Sequence, residues 1–186
     1  MIHFGIDESG NGLPQAVYVA VHSLLKEDRN IFYFPVKRRN EEIREIILEM
    51  LKDKDRGFTC SLVDKGLMTP SSLEGKTFLP SICQSLTIPV LEKLGEFDKI
   101  TIDIDGSVRG ADAFCIQRSL MPYATRVELK SHAKIKSKYE KIDRVKYYPQ
   151  PWITAAADYL SNTLYYHNKG DLNALRSRPN FVPLRV

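Results

Sequence analysis

The chain opens on a short apolar run, Ile2 to Asp7, that reads as a strand, and Gly10, Gly12 and Pro14 supply a turn behind it. A β-branched stretch, Ala16 to Leu25, predicts a second strand and Asn30 to Val36 a third. The short connections make antiparallel neighbours the simplest arrangement of the three. From Glu41 to Lys54 the period changes: Ile43, Ile46, Ile47, Met50 and Leu51 fall on one helical stripe, with acids in the first turn, lysines in the last and Gly57 as the stop. Phe58 to Val63 returns to a strand pattern. Ser81 to Leu94 predicts a second helix, kinked or divided at Pro89.

Lys99 to Asp105 alternates Ile100, Ile102 and Ile104 with Thr101, Asp103 and Asp105, the pattern of a half-buried strand that stops at Gly106 and carries two aspartates on its polar face. Ala111 to Leu120 predicts a helix and Arg126 to Lys130 a short strand. Trp152 to His167 predicts a last helix, introduced by Pro149 and Pro151. Strands alternating with helices after an antiparallel opening predict an α/β fold with a mixed sheet flanked by helices. No repeat, low-complexity tract or linker divides residues 1–186, so a single domain is expected.

Charge adds one regional feature. Lys plus Arg number 27 against 23 Asp plus Glu, a net charge of +4 that favours a polyanionic partner without demanding one. Eight of those basic residues lie between Arg126 and Lys146 against three acids, a segment that could grip phosphates, although such runs are as often solvated faces. Tyr139, Tyr147, Tyr148 and Trp152 could offer stacking surfaces to unpaired bases there, or belong to an ordinary core. Cys60, Cys83 and Cys115 stand far apart with no Cys-x-x-Cys pair, which argues against a zinc ribbon or a disulfide framework and for reduced, mostly buried thiols. No basic leader precedes an apolar stretch and no segment has the length of a membrane span, so a cytoplasmic protein with no membrane partner is expected.

Three islands could carry chemistry. Asp7 and Glu8 are adjacent acids at a strand end, and both can serve one site if the backbone turns at Glu8-Ser9-Gly10; otherwise Asp7 caps the turn and Glu8 is solvated. Asp105 closes a second apolar strand before Gly106, where a side chain can project past the sheet edge, or it simply initiates a turn. Asp158 lies early in the last helix beside Ala155, Ala156 and Ala157, which are small enough to let that helix approach the sheet; a surface acid near a helix N-terminus is the alternative. If these acids converge, they form an oxygen-rich site suited to Mg²⁺ or Mn²⁺. Two ions roughly 3.5–4 Å apart could then hydrolyse a phosphodiester.

The stretch Phe4-Gly5-Ile6-Asp7-Glu8-Ser9-Gly10-Asn11-Gly12 resembles the Asp-Glu-x-Gly-Arg-Gly signature at the end of the first strand of ribonuclease HII. Asp105-Gly106 resembles that family's third acidic position, and Trp152 to Asn162 is similar in placement to its Ala-Ala-Ser-containing helix. The resemblance implies a ribonuclease H-like fold and a metal-dependent endonuclease acting on nucleic acid, with the RNA strand of RNA/DNA hybrids preferred. It also implies that Asp7, Glu8 and Asp105 hold the ions, with Asp158 a candidate for the fourth ligand, and that the Gly10, Asn11 and Gly12 loop contacts the nucleic acid. Lys130 could hold the backbone, and His132 could contact phosphate or shuttle a proton, or be an ordinary hydrogen-bonded histidine. Two departures are visible. Asn11 stands where the family's glycine loop has arginine, and His132 stands near its fourth acid. Other ribonuclease H-like nucleases, among them a broad group with an amino-terminal Asp-Glu-Ser-Gly motif, place the last acid on a carboxy-terminal helix, which favours Asp158 over His132. Asp103 is a further substitute because it shares a strand face with Asp105. Two other readings remain: a nuclease of the same fold acting on structured DNA or other RNA, and a noncatalytic nucleic-acid-binding module whose metal site is incomplete.

Overall fold

The computed structural model describes residues 1–10, 13–35, 41–64, 78–132, 140–142 and 145–184. Its main sheet has five strands in the order β4-β2-β1-β5-β6, made by β1 (Ile2–Ser9), β2 (Gln15–Ser23), β4 (Arg56–Asp64), β5 (Phe97–Ile104) and β6 (Ala124–Ser131). β2 pairs antiparallel with β1 on one side and β4 on the other, whereas β5 runs parallel to β1 and β6 to β5, so the sheet is mixed. The parallel steps are crossed by helices α2 (Phe78–Leu94) and α3 (Gly110–Leu120), as parallel neighbours require.

Alternation along the strands divides the molecule into layers. Ile2, Phe4 and Ile6 of β1 and Ile100, Ile102 and Ile104 of β5 pack with Ile82, Leu86 and Leu91 of α2 and Ile116 and Leu120 of α3. Val17, Val19 and Val21 of β2 face the other way, against Ile153, Ala156, Ala157 and Leu160 of helix α4 (Trp152–His167). Every residue of α4 from Trp152 to Ser161 is buried, because the helix lies between the main sheet and an outer layer. That layer holds α1 (Glu41–Met50) and a second sheet of β3 (Ile31–Pro35), β8 (Val145–Pro151) and β7 (Glu140–Ile142) in the order β3-β8-β7. Gly5 permits the close approach: a Cβ there would lie 2.3 Å from the Ile153 carbonyl oxygen.

Several sequence expectations are corrected. The third strand does not join the first two; β4 pairs with β2 along its whole length, and β3 pairs instead with β8. Its Ile31, Phe32 and Tyr33 remain about half exposed, which suits an outer edge strand. Helix α1 ends at Met50 and the chain tightens into a turn, with Lys52 N–H donating to Glu49 O and Asp53 N–H to Met50 O. Gly57 lies inside β4, where a Cβ would sit 2.6 Å from the His22 imidazole. Helix α2 starts three residues before the expected Ser81 and continues through Pro89 without a break. The β7–β8 hairpin was not expected, since charged residues and two prolines mask its alternation.

Beyond α4, the segment around Asn180 to Val182 covers the free edge of β4: Cys60 N–H donates to Asn180 O at 2.9 Å and Val182 N–H to Cys60 O at 2.8 Å. All three cysteines are free thiols, with Cys60 and Cys83 buried and Cys115 exposed. No helix among the described residues is long and apolar enough to cross a membrane.

Candidate metal centre

Asp7 lies near the end of β1 on the face that α4 covers. Asp105 is the first residue past β5, and its N–H donates to Ile6 O at 3.0 Å, which extends the parallel ladder by one step and brings it beside Asp7. The chain then turns away at Gly106 (φ 134°), whose carbonyl accepts a hydrogen bond from the Ser131 hydroxyl. Asp158 reaches the same place from α4. One carboxylate oxygen from each of Asp7, Asp105 and Asp158 lies within 4.8 Å of the others, with Asp7 and Asp158 buried and Asp105 partly so. At 2% exposure Asp158 is no surface acid near a helix N-terminus.

Three carboxylates this close repel one another unless a cation or proton intervenes. Their donor set is all oxygen and all hard, the chemistry that suits Mg²⁺ or Mn²⁺ rather than zinc or copper. The residues therefore fit a divalent metal.

Glu8 is not brought into this group. β1 continues as a regular strand to Ser9 and the turn begins only at Gly10 (φ 91°), so alternation sends Glu8 to the opposite face. There it is the register partner of Tyr18, whose buried hydroxyl it binds; burial first and this bond second push the phenol above its ordinary range. The expected set of four acids thus narrows to three on one face.

Asp103 and His132 are engaged with each other. Asp103, 1% exposed, accepts from Arg29 Nε at 3.0 Å and lies 2.8 Å from His132 Nε2. Burial alone would raise the Asp103 carboxyl, but the hydrogen bonds from His132 and Arg29 outweigh it and hold the group below the ordinary aspartate value. Asp103 is accordingly committed to an ion pair and is no substitute ligand. His132 is buried and its backbone N–H donates to Ile104 O at 2.9 Å, so it ties the ends of β5 and β6 together and offers no exposed surface to a nucleic acid.

Other expected contacts fall out differently. Lys130 is exposed on β6 at the register of Asp103. Gly10 packs tightly, since a Cβ there would lie 2.6 Å from the Tyr165 ring. Trp152 is buried beneath the Arg56 guanidinium, 5.3 Å from the ring centroid, and is not a stacking surface. Asn11, Gly12 and Tyr139 lie outside the described residues, as do Lys134, Lys136, Lys138 and Arg144.

Two residues near the site escaped the sequence reading. Arg29, on a short 3-10 turn, meets Asp103 across 74 positions, and no local pattern announces such a pair. Asn162 donates to Asp158 Oδ1 at 3.2 Å; its place four residues after Asp158 on one helix face was the available signal.

No protein-family profile matches the chain, and no curated protein does. Among solved structures it is similar to ribonuclease HII from Archaeoglobus fulgidus, in a structure described as a PCNA:RNase HII complex. The TM-score is 0.52 at 15% identity, covering 97% of this chain and 82% of that one. It is likewise similar to ribonuclease H2 from Pyrococcus horikoshii OT3, with a TM-score of 0.51 at 17% identity over 97% of this chain and 81% of that one. At such identities the likeness shows the architecture: the chain has a ribonuclease H-like α/β fold, with a mixed five-stranded sheet flanked by helices.

Proposed function

We propose that the protein is a metal-dependent endonuclease that hydrolyses phosphodiesters in nucleic acid, with the RNA strand of an RNA/DNA hybrid as its substrate. The observation that carries this reading is the convergence of Asp7, Asp105 and Asp158 from a strand, a strand end and a helix far apart in sequence. The ribonuclease HII-like fold supports the reaction class, and the Asp7-Glu8-Ser9-Gly10 resemblance supports the hybrid.

Asp7, Asp105 and Asp158 would hold Mg²⁺ or Mn²⁺, two ions in the working complex. When bound, such ions activate water and stabilise the departing oxygen of an in-line displacement. The protein's part is to keep the three carboxylates on ordered elements, Asp7 on a paired strand, Asp105 at a hydrogen-bonded strand end and Asp158 on a buried helix, so that little reorganisation precedes reaction. Arg29 neutralises Asp103, with His132 hydrogen-bonded to it, which keeps a fourth buried charge from adding to the repulsion among the three. Lys130, exposed on β6, would steady the phosphate backbone.

The test is cleavage of labelled RNA/DNA hybrid, of duplex DNA bearing one ribonucleotide, and of all-DNA structured and duplex controls, each with Mg²⁺, Mn²⁺ or EDTA. We expect cutting of the ribose-containing strand that EDTA stops and that falls to background in Asp7→Asn. Cutting of the all-DNA substrates alone would reassign the substrate. Binding that survives EDTA and Asp7→Asn, with no strand cut, would make the chain a noncatalytic module.

A further inference from the structure

We propose that Ser9 and Asn162 form a positioning pair that fixes the Asp158 carboxylate for the ion; the inference rests on the metal-centre reading above. Ser9 is the third residue of the Asp7-Glu8-Ser9-Gly10 run and points, like Asp7, to the face covered by α4. Its hydroxyl donates to Asn162 Oδ1 at 3.4 Å. The oxygens of Asp158 settle the orientation of the amide: its NH₂ group donates to the Asp158 backbone O at 3.0 Å, which can only accept, and to the carboxylate Oδ1 at 3.2 Å, and this leaves the amide oxygen toward Ser9. A chain of two hydrogen bonds therefore runs from the end of β1 to the one acid of the site that sits on a helix.

The surroundings make this chain a gauge of distance. Gly5 admits the Ile153 backbone at one end of the β1–α4 seam, and Gly10 admits the Tyr165 ring at the other. Ser9 and Asn162 lie between these close contacts, so the seam has little freedom to slide. The chemistry also suits a cation site. An amide donor restrains a carboxylate without bringing a positive charge, whereas Lys or Arg at position 162 would compete with the metal for Asp158. Polar groups that orient metal ligands in this way are commonly worth about 10–100-fold in metal affinity.

Binding of Mn²⁺ alone can be read by titrating the wild type, Asn162→Ala, Asn162→Gln, Ser9→Ala and Asp7→Asn while following the electron paramagnetic resonance signal of the free ion. Thermal unfolding in EDTA reports whether each variant folds. We expect Asn162→Ala to weaken Mn²⁺ binding about 10-fold or more while keeping a cooperative unfolding transition in EDTA. Ser9→Ala should weaken it less, and Asn162→Gln should recover part of the loss. Wild-type Mn²⁺ affinity in both Asn162→Ala and Ser9→Ala, with Asp7→Asn defective, would overturn the positioning pair and leave the metal centre standing. Wild-type affinity in Asp7→Asn, or no binding by the wild type, would overturn both. If Asn162→Ala fails to fold, Ser9→Ala decides by the same criterion.

Discussion

On one face of the main sheet, β1 and β5 present Ile2, Phe4, Ile6, Ile100, Ile102 and Ile104 to α2 and α3; on the other, the same strands turn His3, Gly5, Asp7, Thr101, Asp103 and Asp105 toward the α4 side. Both faces are buried, by opposite means. The aliphatic face needs only apolar area and fit. The polar face needs a partner for every group, because a buried polar atom left without one costs more than the bond it would have made. Its rungs change character along the strands. His3 Nδ1 meets Thr101 Oγ1 at 2.5 Å, a neutral pair; Gly5 and Asp103 form the next rung, where Arg29 balances the carboxylate and His132 shares a hydrogen bond with it. Asp7, Asp105 and Asp158 form the last, where the proposed balance is an ion. Stability and chemistry thus share one sheet by taking alternate residues, and the chemical face must be neutralised rung by rung.

The largest stability effect should come from breaking the middle rung. Asp103→Asn leaves Arg29 without its counter-charge, and removal of one partner from a buried pair costs about 3–5 kcal/mol. Arg29 keeps 19% of its side chain exposed, which places the expected loss at the lower end. The pH dependence has a definite sign. The folded-state carboxyl is held below its ordinary value of 3.8, so its stabilisation is complete above that pH and is lost as acid carries the pH down through the lower folded value. Wild type and Asp103→Asn should therefore differ most in urea unfolding at neutral pH and converge in acid. Equal stability at pH 7 would mean that the polar face is not held by its charges.

Gly5→Ala tests the seam on which the last rung depends. The new Cβ would lie 2.3 Å from Ile153 O and 2.7 Å from Thr154 N, both backbone atoms that cannot swing aside. Overpacking of this kind costs about 1–3 kcal/mol, and relief by displacing α4 would carry Asp158 away from Asp7. Chemical denaturation should show the stability loss and a Mn²⁺ titration a weakened site. A stable Gly5→Ala protein with unchanged Mn²⁺ binding would show that the contact does not set the acid geometry.

These two positions also mark what the sequence made legible. The alternation from Lys99 to Asp105 exposed the two-faced strand, and the small residues before Asp158 signalled a helix pressed against the sheet. Local periodicity is a property of neighbours, and it reads such features directly. Glu8 was misplaced because the first strand was ended at Asp7, whereas two more strand residues precede the turn, and a shift of one residue changes the face. β3 was misplaced because short connections favour adjacent pairing, while β2's free edge is taken by β4 from further along the chain. Arg29 and Ser9 act through contacts 74 and 153 positions away, which no local pattern records.

The first rung can be weighed by acid titration. Burial pushes the His3 imidazole down to about 4, and burial does the same to His22, on β2 beside Gly57. The unfolded histidines take up protons near the ordinary value of 6.5, so the unfolded chain binds more protons than the folded one between that pH and about 4. Stability contributed by neutral, buried imidazoles is therefore present above pH 6.5 and falls as the pH approaches 4. Replacing the imidazole of the rung itself, His3→Gln, should reduce the slope of unfolding free energy against pH in that window by at most one proton. An unchanged slope would place the effect elsewhere.

The smallest effect is expected on the opposite face, where a substitution separates fold from site. Ile102 is fully buried among α2 and α3 residues, one position from Asp103 along the chain but on the other side of the sheet. Ile102→Val removes one methyl group, a change that costs about 0.5–1.5 kcal/mol in a core, and leaves the α4 face untouched. Its thermal midpoint should drop while Mn²⁺ affinity and strand cleavage stay at wild-type levels. If the metal site weakened as much as in Gly5→Ala, the two faces would be mechanically coupled through the strand, and the division of labour argued from alternation would fail.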